Sequence, residues 1–437
     1  MVDFRKMMLL LVVLAFTAGI ASAVDPLSCT ASAGVPPPVR AEGWAEEIGQ
    51  VTITCTGGNP TAINQAIPKV NIQIYLSTNV TSRLISGSYS EAMLLVDEPG
   101  SLQNPVTQRL CPAPGDCTIT SATGLGTLNY TGAGAGRENV FQAVNAGANS
   151  LVWLGVPVDP PGTSGNRVLR MVNVRADAAS TGVSTSLIPS NIIMYITISG
   201  TGALPLSNNT LNVAYVAKGM SFSATSGQFN QCEPKTYSYD LKFKELFGTA
   251  FRQVGTTNQY MPGTIYNTES MWSSVDMTNA SGVAGVAGVA SQGTRLIARF
   301  SNVPANITLT IPGTNSGGID VANRVADATT YGAGGTLTTS STTITATSGY
   351  AVWEIVTSNP GNFLDNTMVF TVGVTYGSNP LPGLGTATVT GNYAPVSQPV
   401  GSSGYYTPNI QQGLTVPAPR FVDDPTSATT FTINSCQ

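Results

Sequence analysis

The chain has no histidine among its 437 residues. That removes the usual general base, the commonest metal ligand and the Ser/His and Cys/His nucleophile systems. Chemistry by paired carboxylates survives, since glycoside hydrolysis needs only two of them. The adjacent acidic pairs are Glu46-Glu47, Asp97-Glu98 and Asp423-Asp424. Neighbours on a strand point to opposite faces, so such a pair is badly placed to work on one substrate. Calcium is the better use for the turn carboxylates Asp97, Glu98, Asp423 and Asp424, because loop oxygens suit a hard cation. The acidic loop pattern of an EF-hand is missing, and turn carboxylates are ordinarily just solvated. A Ser–Lys nucleophile needs a buried lysine beside a serine, and none of the six lysines stands in an S-x-x-K spacing. The glycine-rich stretches 132–136 and 332–335 do not follow the phosphate-loop pattern. Of the four tryptophans, Trp44 and Trp272 lie in polar surroundings and are the candidate surface aromatics for stacking on a sugar. No catalytic residue and no cofactor site is expected.

Six cysteines remain, and they point to an oxidising compartment. The expected pairs are Cys29–Cys55, Cys111–Cys117 across a Pro-Ala-Pro-Gly-Asp turn, and Cys232–Cys436, which would tie the last strand to the start of a second domain. Each would add about 2–4 kcal/mol, the short Cys111 loop least. Zinc is the competing use, with no histidine and no C-x-x-C pair behind it. Residues 1–23 read as a signal peptide, with Arg5 and Lys6 first, an apolar stretch over 7–16 and Ala21-Ser22-Ala23 as the cleavage site. Of 19 basic and 23 acidic residues, Arg5, Lys6 and Asp3 leave with that leader, so the mature chain has 17 against 22, a net charge of −5. A weakly acidic chain without a basic run excludes nucleic acid and anionic membrane surfaces as partners. No later stretch is long and apolar enough to span a bilayer. The Asn-X-Ser/Thr sequons at Asn79, Asn129, Asn208, Asn279 and Asn306 are possible glycan acceptors.

The elements that must position these residues are strands. Only 10% of the chain is charged while 42% is hydrophobic, and 46 glycines and 28 prolines punctuate it as turns. Residues 70–76 alternate, with Val70, Ile72, Ile74 and Leu76 on one face; residues 368–376 alternate in the same way. Further strands are expected over 49–56, 92–96, 141–156, 168–174, 192–199 and 211–221. In the second half they are expected over 237–244, 295–300, 307–311, 336–347, 351–356, 387–393 and 429–433. The core motif repeats at an offset of 200 residues. Val152-Trp153, Val156, Pro160, Val172 and Val174 match Val352-Trp353, Val356, Pro360, Val372 and Val374, with Arg170 opposite Phe370 as a departure. Trp153 and Trp353 therefore read as core residues. The expected fold is all-β: two tandem immunoglobulin-like or related β-sandwich domains, 24–230 and 231–437, after the leader.

Several stretches carry a resemblance. They are Thr54-Cys55-Thr56-Gly57-Gly58, residues 70–84, residues 91–99, Lys242-Phe243-Lys244-Glu245 with Thr249-Ala250-Phe251, residues 262–270, and the cysteine near the end. Together they resemble a group of secreted proteins that soil acidobacteria carry in many copies. The similarity covers most of the mature chain. It implies secretion and tandem β-domains, and it brings no activity and no catalytic residues.

Composition, leader and pattern lead to a secreted or cell-surface structural or adhesive protein that acts by binding or self-assembly. Its partners would be an extracellular protein, a polysaccharide or further copies of itself. Self-assembly would use an exposed edge strand that accepts a strand from a neighbour. A carbohydrate-binding module or His-free polysaccharide-active enzyme is the alternative from another class, and a calcium-dependent adhesion protein is a third.

Overall fold

A computed structural model describes residues 25–101, 103–183, 189–202, 204–225, 228–230, 236–253, 292–358, 366–377, 386–395, 419–423 and 427–434. The protein is all-β. Among the described residues the one helical piece is a single 3-10 turn, Ala179–Thr181.

Ten principal strands fall in each half. In the first they are β1 (Ser28–Ser32), β2 (Pro38–Arg40), β3 (Val51–Gly57), β4 (Lys69–Leu76), β5 (Tyr89–Val96), β6 (Val140–Gly147), β7 (Ser150–Pro157), β8 (Gly162–Val172), β9 (Ser190–Gly200) and β10 (Thr210–Ala217). In the second they are β11 (Met220–Ala224), β12 (Gln228–Asn230), β13 (Thr236–Glu245), β14 (Arg295–Ser301), β15 (Ile307–Ile311), β16 (Val321–Ala326), β17 (Gly349–Thr357), β18 (Thr367–Tyr376), β19 (Thr386–Tyr393) and β20 (Ser427–Asn434).

The two sets have the same neighbours in the same order. One layer runs β1-β3-β8-β5 in the first half and β11-β13-β18-β15 in the second. The other runs β2-β10-β9-β4-β7-β6 and β12-β20-β19-β14-β17-β16. In both, the opening strand splits: its first piece pairs antiparallel with the third strand, and its second pairs parallel with the last. This is the strand order of an immunoglobulin-type sandwich with one extra pair of strands, β7-β6 beyond β4 in the first half and β17-β16 beyond β14 in the second. The halves differ at one junction. β5 pairs with β6 and joins the two layers of the first half into one continuous sheet, whereas β15 and β16 are not paired.

Burial follows the alternation. Along β4 the pattern places Val70, Ile72, Ile74 and Leu76 inside, and along β18 Met368, Phe370, Val372, Val374 and Tyr376. Trp153 and Trp353 are fully buried, and each lies on the strand beside the equivalent neighbour, Ile72 for Trp153 and Leu296 for Trp353. In the second core Trp353 packs on Phe370 at 4.3 Å and on Phe243 at 6.4 Å, which closes the space between the layers.

The constant offset of 200 does not hold past the tryptophans. β8 buries Leu169 and Met171 in the core, while β18 buries Met368 and Phe370. The register shifts by an odd number of residues between the tryptophan strand and the next, which turns the side-chain set over. Arg170 therefore lies on the outer side of β8 and is not the counterpart of Phe370. The expected boundary at 230/231 also moves. Residues 211–221 are expected as one strand, yet β10 belongs to the first set of sheets and β11 to the second, so the chain crosses at Lys218-Gly219.

The disulfide Cys29–Cys55 joins directly opposed residues of β1 and β3, and Cys111–Cys117 closes a small loop. The expected pair Cys232–Cys436 lies outside the described residues.

Candidate functional site

Charge is rare in this chain, and much of it is buried where the two halves meet. The segment following β2 reads Arg40-Ala-Glu-Gly-Trp-Ala-Glu-Glu47. Arg40 and Glu46 are both fully buried and form an ion pair at 2.7 Å. The Arg40 Nε donates to Glu46 Oε1 at 2.8 Å, and the Arg40 backbone N–H to Oε2 at 3.0 Å. The remaining donor, Nη1, crosses to the second half, reaching the Ala250 carbonyl at 3.1 Å and Thr294 Oγ1 at 2.9 Å. The guanidinium lies over Phe421 at 4.6 Å, and Phe421 stacks on Tyr393 at 4.4 Å. A charge buried this deeply is tolerated because both its Coulomb partner and its hydrogen-bond acceptors are in place.

Backbone pairing extends the junction. Trp44 donates to the Arg420 carbonyl, Val422 donates to the Glu42 carbonyl, and Gly43 bridges Phe421. The Glu42 carboxylate accepts from Gly219 N at 3.0 Å, at the point where the chain crosses between halves. Burial pushes the Glu42 carboxyl above the usual range, against the Gly219 hydrogen bond. Gly219 has no room for a side chain: a Cβ there would meet Arg40 Cγ and Tyr393 Oη, each at 2.7 Å. On the far side, Glu245 accepts from Phe251 N at 2.8 Å and Asn366 Nδ2 at 3.2 Å, and burial pushes its carboxyl up to about 7.

A second buried cluster anchors the same segment from within the first half. Glu91 is fully buried and receives Arg83 Nε at 3.0 Å and Arg175 Nε at 3.1 Å. Arg175 also donates to the Ala45 carbonyl at 3.1 Å, next to Glu46. Burial alone would raise the Glu91 carboxyl; the Arg83 and Arg175 guanidiniums outweigh it and hold it at about 2. These carboxylates are fastened to arginines or backbone N–H groups, an arrangement suited to holding parts together.

A third cluster fastens the long segment 97–139 to the first sandwich. Arg167 donates to Asp97, to the Asp159 carbonyl and to the Gly126 carbonyl, and it lies over the Tyr130 ring at 4.5 Å. A cavity of about 250 Å³ opens beside it, lined by Asp97, Asn104, Gly126 and Arg167 among others.

The residues singled out in the sequence separate accordingly. Asp97 pairs with Arg167, Glu98 with Arg170 at 2.6 Å, and Asp423 with Arg299 at 2.9 Å. Asp97 and Glu98 share one turn beside β8 while Asp423 lies in the second half, and among the described residues no three His, Cys, Asp or Glu side chains gather as a metal site. Trp44 is half-buried at the junction. Trp272 and Asp424 lie outside the described residues. Asn129 is buried and donates to Asp159 at 2.7 Å, so its sequon is structural. Arg40 was missed, although a cluster of four charges in eight residues of a charge-poor chain was a usable signal.

Fold and site define an all-β protein with sandwich-type sheets and, among the described residues, two disulfides, whose halves meet at a buried arginine that is ion-paired in one half and hydrogen-bonded to the other. Among the described residues no helix is long and apolar enough to cross a membrane. No protein-family model matches the chain, and no curated protein does. Among solved structures it is similar to the C-terminal domain of the AgI/II polypeptide BspA from Streptococcus agalactiae, at 5% identity over 84% of this chain and 95% of that one, with a TM-score of 0.26. It is also similar to the full-length major pilin SpaD from Corynebacterium diphtheriae, at 8% identity over 94% of this chain and 66% of that one, TM-score 0.19. A third is the CupB6 tip adhesin from Pseudomonas aeruginosa, at 9% identity over 94% and 98%, TM-score 0.16. At such scores these likenesses carry no argument, and the architecture rests on the strand pairing itself.

Proposed function

We propose that the protein is an exported structural or adhesive protein of the cell surface or extracellular space, acting by binding and without catalysis. Its two halves are tandem sandwich domains locked into one stiff unit. The observation that carries this reading is Arg40, which is fully buried, paired with Glu46 and bonded to Ala250 and Thr294 of the other half. A flexible linker between independent domains needs no such contact, and an ordinary interface within a chain is weaker and more polar. The two disulfides fit an oxidising compartment. Stiffness matters for this role, because a scaffold that presents a surface at a distance must resist bending.

Small-angle scattering of the mature protein tests the reading. The parent should fit one fixed arrangement, and Arg40→Ala should broaden the distance distribution while both sandwiches stay folded by circular dichroism. A parent profile that demands many relative orientations, or a measured turnover on any polysaccharide, would overturn it.

A further inference from the structure

The internal repeat exposes a difference between the halves. Ile72 and Leu296 are equivalent, each being the partner of its tryptophan, so Tyr75 corresponds to Arg299. The cross-strand partner of Tyr75 is Tyr195, and that of Arg299 is Thr390. In the second half this outer face is partly covered. Arg299 donates to the Thr330 carbonyl at 3.2 Å, the Tyr350 hydroxyl to the Ala328 carbonyl at 2.7 Å, and Arg295 Nη1 to the Gly334 carbonyl at 2.8 Å. These bonds draw the segment 327–335 over the sheet, and Ile297 is buried beneath it with Val325, Ala328, Val352 and Ala394. That segment lies in the long connection from β16 to β17. In the first half the equivalent connection, β6 to β7, is only residues 148–149. The position of Ile297 is taken there by the half-buried Gln73, and the face stands open.

We infer that this open face of β4, β9 and β10, carrying Tyr75, Tyr195 and Tyr215, is a docking surface for a neutral polysaccharide chain. The three tyrosines are 36%, 46% and 39% exposed, far more than a core residue would be. Tyr75 and Tyr195 stand side by side on central strands that are paired on both edges, so the rings are presented on a rigid plate. Tyr215 lies about 13 Å further along, four residues down β9 and one strand across. Between them lie the half-buried Ile193 and Asn212, and on the far side of Tyr75 and Tyr195 lie the amide of Gln73 and the hydroxyl of Thr197, groups that donate and accept as sugar hydroxyls do. Phenol rings add large amphipathic contact area at low entropic cost.

Charge selects the occupant. β4, β6, β7, β9 and β10 together contain one charged residue, Lys69, and its Nζ is held by the Gly115 carbonyl at the rim. A protein partner or an acidic polymer is ordinarily met by a rim of several charges, and here there are only Lys69 and, one residue past the end of β10, Lys218. An uncharged glycan needs none.

The inference rests on the binding role proposed above and is tested separately from it. Mature protein is mixed with insoluble amorphous cellulose, chitin and mannan, and run through gels containing soluble starch, a β-glucan or polygalacturonate. Retention on at least one neutral polymer, and none on polygalacturonate, is expected. Tyr75→Ala/Tyr195→Ala should weaken that retention about tenfold or more with an unchanged melt, while Tyr75→Phe/Tyr195→Phe keeps most of it. Arg299→Ala, on the covered face, should bind like the parent. Failure on every neutral polymer, or equal retention by the double alanine variant, overturns the assignment. So does a dimer seen by sedimentation that the same variant dissolves without any glycan binding, since the occupant is then a second copy. None of these results alters the scattering test of the stiff junction.

Discussion

Arg40 and Glu46, six residues apart in the chain and both without solvent exposure, form the ion pair on which the two halves of the protein close. The pair is local to the first half, while the third direction of the guanidinium is used by Ala250 and Thr294 of the second. A single side chain therefore reports on both the fold of one half and the position of the other.

Removing that side chain leaves Glu46 buried without its partner. Arg40→Ala is expected to cost about 3–5 kcal/mol, whereas replacing both residues by apolar ones, Arg40→Met with Glu46→Leu, should cost far less. Chemical denaturation of the three proteins gives the comparison. Equal losses in the single and double variants would mean that packing, not charge, governs the junction.

Glu91 sets an acid limit. Its folded carboxyl sits at about 2 against 4.5 ordinarily, so the unfolded chain binds the proton more readily. The stability it contributes is full above pH 4.5 and disappears as pH falls from there through 2. Melting temperatures of the parent should drop across that window, and Glu91→Gln should be less stable at neutral pH with a flatter acid limb. A variant whose acid limb parallels the parent's would contradict this.

Glu245 acts in the opposite sense. Burial raises its folded carboxyl to about 7, so here the folded state holds the proton more tightly. Its contribution is full below pH 4.5 and is lost as pH rises through 7. Glu245→Gln should hold its melting temperature between pH 5 and 8 better than the parent does. The result to watch for against this is an identical pH slope in both proteins.

The two equivalent tryptophans differ in one bond. Trp353 Nε1 donates to the Pro312 carbonyl at 3.0 Å, while the buried Trp153 Nε1 has no hydrogen-bond partner among the described residues. Trp353→Phe gives up the bond and strands an acceptor, so it should cost about 1–3 kcal/mol more than Trp153→Phe. Urea unfolding of both variants measures the difference, and a larger loss at Trp153 would count against the assignment.

Alternation along β4 and β18, the two indoles and the turn-rich, charge-poor composition made the all-β class legible, because side-chain period is a local property of the backbone. The pairs Cys29–Cys55 and Cys111–Cys117 were legible for the same reason: their partners are near in sequence. The crossing at Lys218-Gly219 was not, since residues 211–221 read as one strand and only strand pairing divides them. The odd shift between Trp153 and Met171 was hidden as well, because a loop can change length by one residue without changing composition.

By itself, then, the sequence determined that the chain makes two-faced strands, which carry similar patterns in both halves, and that histidine chemistry is absent. Tertiary structure alone decided that Arg40 spans the halves, that Asp97, Glu98 and Asp423 each meet an arginine, and that Tyr75 stands open where Arg299 is covered. Local pattern fixes which side of a strand is apolar; which distant segment comes to rest on either side depends on loop lengths and packing that no local pattern encodes.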